Sequence, residues 1–202
     1  MVLFRHHGAC YREFVFNSFA RAASRALLPA ACLCLIGAAS GFAQSPAALG
    51  HQHDFDFEFG RWTASLRMLP NPFGDTRDWK TFTGTSVVRK VWDGRANLGE
   101  LEVANATSHI EALTLRIFDR RSQTWNVYFA NAKSGSLDPT PMVGRFEGGR
   151  GLFYATENVA GRTVRVRFVF SDVTPRTFDL TQAFSSDGGR IWNDNWYARF
   201  AR

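Results

Sequence analysis

The chain has 202 residues, a formal net charge of +6, three cysteines and 14% aromatic residues. That length suggests one domain with a processing segment in front of it. Its basic residues are scattered, without the clustering or binding fold that a nucleic-acid footprint needs, so nucleic acid is excluded as a partner.

In chain order, Arg5, Arg12, Arg21 and Arg25 come first, followed by the apolar run "ALLPAACLCLIGAASGFA" and small residues up to Ala43. A positive region, an apolar region and a small-residue end make a secretory signal. The order predicts a signal peptide over 1–43, cut after Ala43, with Ala48 as a later alternative. Pro29, Gly37 and Gly41 interrupt the run, and it falls short of the ~20 apolar residues of a membrane helix. No later stretch qualifies. The expected product is soluble and exported, periplasmic or extracellular, with no membrane span.

Cys10, Cys32 and Cys34 all lie in the leader. The exported part is therefore expected to have no disulfide, no thiolate metal site and no cysteine nucleophile. From residue 44 onward there are 20 Lys and Arg against 17 Asp and Glu. A domain of that size buries ~70% of its unfolded surface, enough for a core without crosslinks. Residues 44–53, "QSPAALGHQH", read as a short tether to a domain over 54–202.

Within that domain, two-residue alternation dominates. "TVRVRFVF" puts Val164, Val166, Phe168 and Phe170 on one face and Arg165 and Arg167 on the other. The same alternation groups Leu113, Leu115 and Ile117, then Trp125, Val127 and Phe129, then Phe178, Leu180 and Phe184. Such runs are half-buried antiparallel strands. Turn signals at "DGRAN", "DRRSQ", "EGGRG", "VAGR" and "SDGGR" separate them, giving roughly ten strands on this spacing rule. No segment has a helical period. The pattern predicts an all-β fold, an antiparallel barrel or sandwich.

"GRW" at 60–62 tips the choice toward a barrel. A Gly-x-Trp just before the first strand resembles that of lipocalin-like barrels, and the resemblance implies that Trp62 lies under the closed end with a C-terminal arginine over its indole. The phase Trp192, Trp196, Phe200 puts Arg202 on the buried side, with Arg199 as the alternative. A guanidinium over an indole contributes ~0.5–2 kcal/mol.

Taken together, "HDFDFEFGRW", "RIFDRRSQTWNVYFAN", "PMVGRFEGGRGLFY" and "AFSSDGGRIWNDNWYARFAR" resemble a bacterial domain-of-unknown-function family with a lipocalin-like (calycin) β-barrel. The likeness spans 53–202 and departs from the family at Glu58–Phe59. It implies a single antiparallel barrel of about eight to ten strands. It implies no biochemical activity, because fold alone does not fix function.

Several candidate sites remain. His51 and His53, with Asp54 or Asp56, are ligand types suited to zinc or copper. A closed metal site needs convergent ligands, and these are only local, so no metal is predicted. The expectation is that Phe55, Phe57 and Phe59 close the barrel floor, with Asp54, Asp56 and Glu58 at its rim. "SSDGGRIW" reads as a hairpin device in which Asp187-Gly188 or Gly188-Gly189 supplies positive φ. No Gly-x-Ser-x-Gly elbow or phosphate loop is present. Glu100 and Glu102 share a strand face, the outer one by the usual exposure of glutamate.

What remains is a pocket. Trp125, Phe129 and Trp196 suit its wall, and His109, Glu111, Arg116, Asn126 and Tyr128 suit its polar contacts. The function read from the sequence is binding of a small apolar or aromatic ligand in the lumen, without a cofactor. Two alternatives stay open: an isomerase or cyclase working there through His109 or a buried glutamate, and a ligand-free module acting through its outer surface.

Overall fold

The structure is a computed structural model that describes residues 51–74, 77–159 and 161–202. The expected signal peptide and residues 44–50 of the expected tether lie outside the described residues. Eleven strands follow in order: β1 (Gly60–Met68), β2 (Lys80–Val91), β3 (Ala96–Ala104), β4 (His109–Asp119), β5 (Thr124–Asn131), β6 (Ser136–Leu137), β7 (Met142–Glu147), β8 (Arg150–Val159), β9 (Arg162–Ser171), β10 (Thr177–Ser185) and β11 (Asn193–Ala201). Each pairs antiparallel with its neighbours. β4–β5 and β1–β11 pairings close a ten-stranded ring, from which β6 projects as a short side strand on β5. The fold is the all-β lipocalin-like barrel expected from the alternation and turn spacing. Among the described residues no helix is long and apolar enough to cross a membrane.

Closing so small a ring requires strongly coiled strands, and glycine supplies the bends. A Cβ on Gly84 would collide with the Glu102 carbonyl oxygen, and one on Gly144 with that of Leu152. Both glycines lie where a neighbouring backbone crosses the inner face.

The chain enters through two turns that fill one end of the barrel. His51 Nδ1 and His53 Nδ1 each lie 2.9 Å from a carboxylate three residues on, Asp54 and Asp56. The His51 carbonyl accepts from the Trp125 indole at 2.7 Å, so residues 51–53 form part of the packed end. A one-turn 3-10 helix, Asp56–Glu58, follows. It drops Phe55 into the centre of an aromatic cluster, with Trp125, Phe146, Phe153 and Phe170 all within 5.6 Å centroid to centroid. Trp62 donates to the Glu58 carbonyl at 2.7 Å. Arg202 lies over the Trp62 ring at 4.0 Å and donates to the carbonyls of Phe57, Phe59 and Pro175. Arg199 instead pairs with Asp179 on the outside.

Three readings of the pattern change in three dimensions. Leu113, Leu115 and Ile117 form the outer face of β4, with Leu113 42% exposed. That strand is apolar on both faces, so alternation gives its period but not its phase. The inner face carries Phe118 and Arg116, whose charge is met inside the barrel. Trp192 is not on the buried side with Trp196. It lies before β11, where the Arg167 guanidinium covers its ring at 4.4 Å. The β10–β11 register shifts between Gln182 and Ala183, so Asn195 has no partner across the ladder and turns inward. Glu58 is not at the rim either; it is 2% exposed and faces Arg116 in the interior.

The Ser185–Ile191 hairpin matches its expected role. Gly188 and Gly189 have φ of 79° and 99°. The Asp187 carboxylate accepts from Ser185 Oγ and from the Arg190 and Ile191 amides, which holds its pKa below the usual carboxylate range.

Candidate functional site: the barrel lumen

The closed end is fully packed. Phe55, Trp62, Trp125 and Phe153 are inaccessible to solvent, and Phe170 nearly so. Against this aromatic floor lies a polar triad. Asn97 of β3 pairs across the ladder with Arg116 of β4. Arg116 Nη1 donates to Asn97 Oδ1 at 2.9 Å and stands 2.6 Å from Glu58 Oε2. The second contact is held by charge, because no N–H bond is aligned with that oxygen. Burial raises the Glu58 pKa, and the attraction of Arg116 offsets only part of the rise. The Arg116 guanidinium also sits over the Phe55 ring at 4.8 Å. The triad therefore ties the entering chain to the barrel wall.

Further from the floor the inner wall changes character. Leu101, Ile110, Phe129, Phe168, Leu180 and Trp196 point inward and pack against the core, yet all are only half-buried. In a filled barrel, inward apolar side chains at mid-strand lose all their exposure. Here these six keep part of theirs, and the inner wall at this level is made of rings and aliphatic chains. Phe129 and Phe168 stand edge to face at 5.3 Å. Phe73, on the loop between β1 and β2, lies against Phe184 at 5.9 Å and beneath Arg162.

Two polar groups share this face. Gln182 Nε2 donates to Asn195 Oδ1 at 3.1 Å, which orients its amide. Glu157 alternates with Phe153, Ala155 and Val159 along β8 and pairs across the ladder with the buried Val164, so it too faces inward. Burial pushes its pKa up to about 7, and the nearby Asp138 adds to the rise.

A stability prediction follows for Glu157. Below its ordinary pKa of 4.5 the carboxyl is protonated in both folded and unfolded chains. Between 4.5 and about 7 the unfolded chain releases the proton and the folded chain keeps it, so this group's contribution to stability falls as pH rises. Glu157→Gln removes the cost of ionisation. The variant is expected to be more stable than the parent by about 1–3 kcal/mol at pH 8 and equal to it at pH 4, read from urea unfolding at both values. An equal difference at both pH values would refute the assignment.

Of the residues predicted for the pocket, Trp125, Phe129, Trp196 and Arg116 are inside. Trp125 and Arg116 belong to the packed floor, while Phe129 and Trp196 keep partial exposure against the core. His109, Glu111, Asn126 and Tyr128 are on the outer face. His109 stands 3.3 Å from Glu102 there, and Arg89 pairs with Glu100 beside it. The reason is one of phase: β4 turns its even-numbered residues inward, and β5 its odd-numbered ones. Glu157 was open to the same argument, since "FYATENV" places a glutamate in an apolar alternation. Asn97 and Glu58 carried no such signal, because their partner is remote in sequence. A groove of about 590 Å³ also exists on the outside, crossing β1, β10 and β11, with Ser65, Thr83, Asp179 and Tyr197 in its lining.

No protein-family model and no curated protein matches the chain. Among solved structures, it is similar to the S-type phycobiliprotein lyase CPES from Guillardia theta. The TM-score is 0.51 and the identity 9%, over 73% of this chain and 89% of that one. A second similar structure is EF1p2_mFAP2b bound to DFHBI, with a TM-score of 0.41 and 8% identity over 75% of this chain and 98% of the other. At 9% identity the first likeness speaks to fold alone, and the fold it supports is the lipocalin-like barrel.

Proposed function

We propose that the protein is an exported carrier that binds a small apolar or aromatic molecule in the barrel lumen. One observation supports this above the others: inward-facing Phe129, Phe168, Leu180 and Trp196 keep solvent exposure inside a closed barrel. Covering that wall with ligand is favourable by ~25 cal/mol per Å² of apolar surface. Gln182 and Glu157 provide the few polar groups that orient a ligand in such a pocket. The basic and apolar leader supports export.

A catalytic reading has lost His109 to the outer face and would have to rest on Glu157. Carrier and catalyst differ in the fate of what is bound. The test is native mass spectrometry of the protein purified from its own cells, followed by denaturing extraction. The carrier reading expects a discrete added organic mass that is released unchanged on unfolding. A bare protein that also fails to take up hydrophobic probes would overturn it.

A further inference from the structure

The outer face of β7, β8 and β9 collects apolar side chains that the fold leaves exposed. Val143 of β7 pairs across the ladder with Tyr154 of β8, and Leu152 lies two residues before Tyr154 on the same face; all three are exposed. The Ser185–Ile191 hairpin folds onto this face. Trp192, just after it, lies 6.1 Å from the Tyr154 ring. Gly189 packs so closely that a Cβ there would stand 2.9 Å from an Arg165 nitrogen and 3.4 Å from the Trp192 ring. Ile191, between them in the chain, is 66% exposed, more than any other large apolar residue described.

Arginines stand among these groups, held over the rings. Arg165 lies over Tyr154 at 5.5 Å and donates to the Gly188 carbonyl at 3.1 Å. Arg167, which pairs with Tyr154 across the ladder, lies over Trp192 at 4.4 Å. No described carboxylate pairs with either one, and Arg167 Nε has no acceptor. Arg190 adds an exposed charge on the hairpin. The carboxylates that border the face are already met. Asp187 accepts from the amides of its own hairpin, Asp194 from the Tyr197 hydroxyl and Glu147 from Arg145.

We propose that this face docks the protein on an anionic lipid surface, with Ile191 and Trp192 at the boundary between headgroups and acyl chains and Arg165, Arg167 and Arg190 against the phosphates. Tryptophan and tyrosine are suited to that boundary, since each has an apolar body and a polar edge. The rings pre-order two of the guanidinium groups, so less side-chain freedom is lost on docking. A second copy of the chain would bring its own three arginines against these, which opposes self-association through the face. The face lies outside the barrel, so the inference stands whatever the lumen holds.

The test is cosedimentation of the protein, purified from its own cells, with vesicles of equal parts phosphatidylglycerol and phosphatidylcholine and with vesicles of phosphatidylcholine alone. The anionic vesicles are expected to bind about tenfold more tightly or better, and added salt to weaken that binding. The double variant Arg165→Gln, Arg167→Gln is expected to lose about tenfold to thirtyfold in affinity, roughly fivefold for each arginine. Ile191→Ser is expected to lose about threefold to tenfold, from the apolar area no longer buried in lipid. Its stability in urea should match the parent, because the side chain is mostly exposed in the folded chain. Trp92→Ala, at a 63% exposed ring between β2 and β3, keeps the parent affinity. Equal binding to both kinds of vesicle, or binding to neither, overturns the proposal. So do Arg165, Arg167 and Ile191 variants that bind like the parent, since the contact would then lie elsewhere in the chain.

Discussion

Arg116→Ala is expected to destabilise the barrel by about 3–5 kcal/mol, the usual cost of removing one partner from a buried ion pair. The side chain is 6% exposed, and its removal leaves Glu58, 2% exposed, facing Phe55 with no cation. It also leaves Asn97 Oδ1, in a fully buried residue, without its donor. Both losses leave polar atoms unsatisfied, which is where mutational costs concentrate. The double variant Glu58→Leu, Arg116→Met separates this account from a simple volume effect. It removes both charges while keeping apolar bulk, and such replacements are commonly neutral or stabilising. Chemical denaturation of the single and double variants checks the prediction. A double variant no more stable than Arg116→Ala would show that the charges were not the source of the loss.

Phe55→Ala is expected to cost a similar amount, about 3–5 kcal/mol, from lost transfer energy and the cavity left behind. No other ring is so central to the closed end. Phe57, Trp125, Phe146, Phe153 and Phe170 all contact it, four of them within 5.6 Å. The ring is delivered by the entering chain, not by a strand. Its loss should therefore detach residues 51–59 before the strands separate. Hydrogen exchange is expected to show early loss of protection at the Glu58 amide, which donates to Phe55, and slow exchange in β8 and β9. Uniform loss of protection across the barrel would contradict this order. For a domain with a typical stability of 5–15 kcal/mol, either substitution removes a large fraction of the total.

The fold was legible because its signals are local. Alternation in β9 and β10 assigned Phe168, Phe170, Phe178 and Leu180 to the inner face, and glycine turns marked the ends of strands. The site was legible only where phase was unambiguous. In β4 both faces are apolar, so the sequence could not say that Arg116 turns in and Leu113 out. In β11 a register shift against β10 turns Asn195 inward, against the strand's alternation, and Trp192, grouped with the buried phase, lies before the strand begins. The triad of Glu58, Asn97 and Arg116 joins three segments remote in sequence, and a charge answered only through tertiary contact leaves no pattern. Glu157 is the instructive omission. Its position in an apolar alternation was visible, but only the closed barrel shows the burial that raises its pKa.

The account depends on open apolar space between the walls of the barrel. The most direct test is a crystal of the protein pressurised with xenon, which settles in apolar cavities. The account predicts xenon density inside the barrel, in contact with Phe129, Phe168 and Leu180. Xenon absent from the lumen, with those three side chains packed against one another across it, would contradict the account.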